Sequence, residues 1–272
     1  MSSKQLKILA LISMFFDHFI RIFPLSDAMA PIADWVSSIG QENLSVWIMS
    51  WIPHLLIYFG RVAAPVFMFC IVEGFLHTCN IKKYMLRIFS VPLVAQIPYI
   101  LFNLAESRIY GIAGDWKEVP FNILFTLCLG LISLWGYSEC EKKGHGILGV
   151  GIFLVAGVLA RLLRFEGSEG YILMIFMFYV LRNRPAWQKA LIFIPVLALA
   201  RYRLIAYTFK YSALLRTCIL NVIGPYLGIL AICCYSGEKG NTGKRFQRFV
   251  YAFYPVHLLA LAIVGYLRTP LI

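Results

Sequence analysis

The sequence predicts an all-α protein, a polytopic transmembrane helical bundle, and three observations carry that expectation. Of 272 residues, 60% are hydrophobic and only 14% are charged, against roughly 45–50% and about 25% in an ordinary soluble domain. Mean hydropathy is +0.76. The apolar residues also fall in long runs, and one bilayer crossing needs about 20 of them. Charges too scarce to coat a soluble surface exclude a cytosolic globular enzyme, a nucleic-acid-binding module and a disordered chain.

Nine apolar segments stand out, near 5–23, 57–79, 82–104, 119–137, 146–164, 169–182, 188–207, 214–235 and 247–268. Segment 169–182 is short for a crossing, so the expected count is about nine, within eight to ten. No linker, low-complexity tract or internal repeat interrupts them. Residues 1–272 read as a single integral membrane domain.

The first segment follows Lys4 and Lys7 and precedes Ala28-Met29-Ala30, a faint likeness to a cleavable signal peptide. Asp17, His18 and Arg21 interrupt the run and Pro31 follows the small residues, so it reads as a retained first span. Residues 44–59, rich in Trp and carrying Pro53, read as an interfacial helix or an extension of the second span. A separate span there would move Lys82, Lys83 and Arg87 to the outer side.

With Lys4 and Lys7 inside, Asp27, Asp34 and Glu42 fall outside, as do Glu106, Asp115 and Glu118. Lys82, Lys83 and Arg87 then lie inside, with Lys142-Lys143, Arg182, Arg184, Lys189, Lys239, Lys244, Arg245 and Arg248. This follows the positive-inside rule. Arg201, Arg203, Lys210 and Arg216 are the exceptions. Topology thus accounts for most of the net charge of +12 without nucleic acid; a basic mouth for an anionic ligand is the other reading. The seven cysteines show no C-x-x-C and no zinc spacing, so neither a metal site nor a disulfide framework is expected.

Ionisable groups at bilayer depth are costly, so each is a functional candidate. The first span reads LISMFFDHFIRIF. Asp17 and His18 point about 100° apart on a helix, whereas Asp17 and Arg21 at i and i+4 can pair. His18 is then left to project into a cavity as a general base, or to hydrogen-bond within the bundle. In the second span Arg61 could hold a carboxylate or phosphate, or pair with Asp17. Pro65 is expected to bend this span, and Glu73 and His77 share a face. Asn122 and Thr126 share a face of the fourth span, for interhelical hydrogen bonding or for lining a site. In the last span Tyr251, Tyr254 and His257 recur along one face beside Pro255, which is expected to kink the helix. No phosphate loop, H-E-x-x-H or G-x-S-x-G elbow is present.

The phrases LKILALISMFFDHFIRIF, GRVAAPVFMFCIVEGFLHTCNIKKYMLR, PFNILFTLCLGLISLW and RFVYAFYPVHLLAL resemble the TraX family. They occur in order over nearly the whole chain. The resemblance implies an acyltransferase-like membrane fold in the bacterial inner membrane, N-terminus cytoplasmic. It also implies acetyl transfer from cytosolic acetyl-CoA, without a metal, to an amine or hydroxyl at the outer face. In the family that acceptor is the N-terminus of a conjugative pilin. On this chain the motif positions are Asp17, His18, Arg61, Pro65, Glu73, His77, Asn122, Thr126, Tyr254 and His257. Two departures stand out. Gln96-Ile97-Pro98-Tyr99-Ile100 replaces an expected E-I-P-[FY]-D, and Glu166, Glu169 and Tyr171 stand where an aspartate–tyrosine pair is expected.

The resulting expectation is His18 as base, positioned by Asp17 or Arg61, with His257 as the second candidate or, with Tyr254, an oxyanion donor. Lys82, Lys83 and Arg87 would meet the CoA phosphates. Expected partners are membrane lipid and an acceptor peptide or glycan, with no nucleic acid. The rival expectations are a proton-coupled transporter or flippase and a non-catalytic conjugation or pilus-assembly component.

Overall fold

The computed structural model describes residues 1–200, 202 and 215–269. Among these the only regular elements are helices, with a single isolated parallel bridge between Phe121 and Phe165. Of the exceptional cations, Arg201, Arg203 and Lys210, and the side chain of Arg216, lie outside the described residues.

The helices are α1 (Ser3–Ile22), α2 (Leu25–Ser38), α3 (Glu42–Gly60), α4 (Ala63–Leu76), α5 (Ile81–Ile109), α6 (Ile123–Lys142), α7 (Gly146–Leu162), α8 (Ser168–Val180), α9 (Ala186–Ala200), α10 (Leu215–Cys233) and α11 (Lys244–Arg268). Each apolar segment of the sequence finds a helix. Among the described residues four stretches are long and apolar enough to cross a membrane: Leu55–Leu76, Ile81–Ile109, Ile123–Lys142 and Lys244–Arg268. The bent pair of α1 and α2 makes a fifth if taken together. The remaining apolar helices, including the 13-residue α8, are shorter; at 1.5 Å per residue α8 extends only about 20 Å.

Local chemistry explains several boundaries. Ser2 caps α1 in a reciprocal box with Gln5. Asn122 caps α6 by accepting from the Leu124 N–H. Pro65 does not bend the second span as expected. It lies in the first turn of α4, where its missing N–H costs nothing, and the chain breaks just before, at Arg61 and Val62. Residues 42–60 form the helix that runs into that break, which fits the extension reading of 44–59. Within the connection that carries Asp27 and Asp34, residues 25–38 form α2 after Pro24. In α5, Pro92 frees the carbonyl of Ile88, and the Cys128 thiol of α6 donates to it at 3.4 Å.

Two apolar clusters form the interior. The larger joins α4, α6, α7, α8, α9 and α10, with the N-terminal halves of α1 and α5, around Met68, Leu131, Ile175 and Phe193. The smaller joins α1, α5 and α11 around Ile22, Phe102 and Leu258. Where α1 meets the α3–α4 break, Gly60 permits the contact, since a Cβ there would lie 2.8 Å from the Asp17 Cβ. Ser13 of α1 donates to the carbonyls of Phe59 and Gly60 at 2.6 and 2.9 Å.

The basic helix ends gather at one end of the bundle. Ser3 N–H donates to the Glu238 carbonyl, Cys233 to the Ala186 carbonyl, and Tyr179 to Glu141. These ties place Lys4, Lys142, Arg182, Lys189 and Lys239 at the same end of the bundle.

Candidate functional site

A cavity of about 610 Å³ follows the seam between the two clusters. Ser3, Lys7, His77, Thr78, Arg87, Lys239 and Gln247 line its basic end. Asp17, His18, Arg61, Glu166 and Tyr254 line its far end, with Phe67, Ile71, Val91 and Leu127 along the wall. From Lys7 to His18 is eleven residues of α1, about 16 Å along the axis.

At the far end two histidines meet. His18 on α1 and His257 on α11 are buried, and His257 Nε2 lies 3.2 Å from His18 Nδ1. Each Nδ1 also bonds the carbonyl one turn back on its own helix. For His18 this is Met14 O at 2.8 Å, and for His257 it is Phe253 O at 2.7 Å. Phe102 sets its edge against His18, and Phe253 stacks on His257 with centroids 4.8 Å apart. The Tyr254 hydroxyl beside them is buried and, among the described residues, has no hydrogen-bond partner.

The charges around these rings are paired, and one pairing differs from expectation. Arg21 does not pair with Asp17 on its own helix. It reaches Glu106 of α5 with Nε at 2.7 Å and Nη2 on the second carboxylate oxygen, and Asn103 Oδ1 with Nη2 at 3.2 Å. The fork of a guanidinium matches two carboxylate oxygens better than an intrahelical pair could. Asp17 turns instead to Arg61 Nε at 3.5 Å, the second of the two roles open to Arg61.

Asn122 and Thr126 are fully buried and shape the site without lining the cavity. Asn122 Nδ2 donates to the Pro92 carbonyl and to Gln96 Oε1. Gln96 in turn donates to Pro120 O, so its side chain is consumed in fixing the start of α6. Thr126 donates to the Glu166 carbonyl at 2.5 Å. The bridge between 121 and 165 carries Glu166 to the N-terminus of α6, where its carboxylate accepts from Ile123 N–H at 3.1 Å. Burial raises the Glu166 carboxyl from its ordinary value, opposed by Arg21 and by a hydrogen bond from Tyr99. In the sequence Glu166 is visible only as a departure from the expected aspartate–tyrosine pair, and it is not among the expected site residues. The available signal was an acid beside Gly167 in the short connection between two apolar runs.

Glu73 and His77 face each other at 3.5 Å near the basic end, with His77 largely exposed. Of the three cations expected at the CoA phosphates, only Arg87 lines the cavity. Lys82 and Lys83, on the exposed face of the first turn of α5, do not; Lys82 borders a separate apolar groove between α5 and α6. Lys7 and Lys239 take their place because α1 and the loop before α11 close the basic end. Among the described residues no group of three or more His, Cys, Asp or Glu could hold a metal.

The family described as TraX protein matches residues 2–265 of the chain. A curated relative, the probable fimbrial assembly protein FimC, serogroup H1, of Dichelobacter nodosus, is 28% identical over 263 residues. The alignment covers 96% of this chain and 94% of that protein. No solved structure matches.

Proposed function

The chain belongs to the TraX family, and from that premise we propose that it is a pilus-related membrane acetyltransferase. It takes acetyl-CoA from the cytosol and modifies an amine or hydroxyl at the outer face of the bacterial inner membrane. About nine helices span the membrane, with the N-terminus cytoplasmic. The pilus connection comes from the name of the Dichelobacter nodosus relative. The observation that carries acetyl transfer is the cavity itself, which joins an end bearing Lys7, Arg87 and Lys239 to the buried His18.

Acetyl-CoA fits that cavity by its chemistry. Its phosphates match the three cations, its uncharged arm the Phe67, Ile71 and Leu127 wall, and its thioester the His18 end. When bound it supplies an activated acetyl group and a thiol leaving group.

The residues of the chain then have distinct tasks. His18 takes the proton of the acceptor as it attacks, a step that typically contributes 10²–10⁴-fold. The unpartnered Tyr254 hydroxyl can donate to the oxygen on which negative charge grows. Asp17 and Arg61 hold one another beside His18 and leave little net charge at that end.

Purified protein in liposomes, given labelled acetyl-CoA and an envelope fraction from cells lacking the gene, is expected to pass label to an envelope component. His18→Ala is expected to lower transfer by at least about 100-fold while the protein stays folded. Undiminished transfer would remove His18 from the reaction. Solute or lipid flux without acetyl-CoA would favour the transporter reading.

A further inference from the structure

We propose that His257 is a positioning residue for His18: it keeps the His18 lone pair on Nε2 and shares the charge that His18 acquires with a proton. The proposal rests on the acetyl-transfer reading for His18 as the proton acceptor.

The geometry leaves one arrangement of hydrogens. A backbone carbonyl can only accept, so the bonds to Met14 O and Phe253 O put hydrogen on the Nδ1 of both rings. Neutral His257 then carries its lone pair on Nε2, 3.2 Å from His18 Nδ1. The single Nδ1–H of His18 therefore lies between two acceptors, Met14 O and His257 Nε2. The lone pair of His18 remains on Nε2, and no described residue hydrogen-bonds it. His18 lines the cavity and His257 lies behind it.

The environment clamps this pair. Phe102 meets His18 edge-on, and Phe253 lies nearly parallel to His257 at 22°. A carboxylate is the usual partner in such a position, but Asp17 points elsewhere and is held by Arg61. An imidazole partner orients the base without adding a buried charge, a large saving at this depth.

The proton balance closes. As the acceptor nitrogen or oxygen bonds to the thioester carbonyl carbon, its proton moves to His18 Nε2. The Nδ1–H of the resulting imidazolium tightens toward His257 Nε2, spreading the positive charge over both rings. The carbon–sulfur bond breaks, and the Nε2 proton passes to the departing thiolate, which restores both neutral rings.

The test uses the full chain in lipid nanodiscs with two variants. His257→Leu removes the acceptor nitrogen, and His257→Gln places an amide oxygen near its position. Leu is expected to lower kcat on the order of 100-fold with the KM for acetyl-CoA unchanged. That is less than the roughly 10⁴-fold lost with a triad's orienting group, because Met14 O still holds the tautomer. Gln is expected to restore kcat to within about threefold of the wild type, since its amide oxygen keeps an acceptor at that position while Met14 O holds the tautomer that an amide partner alone would leave open. Nitrogen-15 spectra of the wild type are expected to show His18 protonated at Nδ1, with a through-bond coupling to His257 Nε2. Three results would overturn the proposal: wild-type kcat in Leu, a Gln variant as slow as Leu, or His18 protonated at Nε2. A wild type that transfers no acetyl group defeats the acetyl-transfer reading instead. The spectra need no turnover, so they still decide the role of His257.

Discussion

Around the far end of the cavity Arg21 pairs with Glu106 and Arg61 with Asp17, Glu166 accepts from the Ile123 N–H instead of a cation, and the two imidazoles face each other. At the basic end Lys7, Arg87 and Lys239 form no ion pair among the described residues, although the acidic Glu73 lies on the same wall. Both regions line one cavity, so the contrast separates two tasks. Paired charge at depth holds helices together because an unpaired partner is expensive there. Unpaired cations at the basic end contribute little to folding and remain available to an anion.

The largest effect that would sharpen this contrast is expected from Arg21→Ala. It leaves Glu106 without its bidentate partner. The side chains are 29% and 22% exposed, so the loss should be about 2–3 kcal/mol, below the 3–5 of a fully buried pair. Thermal unfolding in detergent would read it.

Gly60→Ala comes next. The new Cβ would lie within 2.8 Å of Asp17, and such overpacking typically costs about 1–3 kcal/mol. The same variant should shift Asp17 away from Arg61 and slow acetyl transfer. A fully stable and active Gly60→Ala protein would show that this helix contact is looser than described.

Asn122→Ala removes the cap of α6 and should cost about 1 kcal/mol, more if Gln96 finds no new donor. At the basic end the expectation reverses. Lys7→Glu and Lys239→Glu should each change stability by no more than about 0.5 kcal/mol. Each should also raise the KM for acetyl-CoA roughly fivefold, the effect of about 1 kcal/mol between separated charges near a surface. A loss of stability with KM unchanged would make the basic end structural and erase the contrast.

Much of this was legible in the sequence, for a physical reason. Helices in lipid must satisfy their own backbone, so an apolar run announces a helix whatever its neighbours. All nine runs did so. Asp17, His18, Arg61 and His257 stood out because such residues are costly at bilayer depth. What was hidden depends on distance along the chain. Spacing within one helix suggested Asp17 with Arg21, but the true partner of Arg21 lies 85 positions away on α5. The two histidines are 239 positions apart. Nor does a basic loop reveal which of its cations faces a cavity, so Lys82 and Lys83 were as good candidates as Lys7 and Lys239. α2 was not anticipated because its apolar residues, Leu25, Met29, Ile32 and Val36, recur at helical spacing without forming the continuous apolar run that marks a span.

The central claim is that acetyl-CoA occupies the cavity between the basic end and His18. Cys70 lines the wall of that cavity and offers a reporter that requires no acceptor. In a variant keeping Cys70 as its only cysteine, the rate of alkylation by N-ethylmaleimide would be measured with and without saturating acetyl-CoA. The account predicts at least a several-fold slowing by acetyl-CoA, and weaker protection when Lys7 and Lys239 are both replaced by Glu. An alkylation rate unchanged by acetyl-CoA, in protein that remains folded, would contradict it.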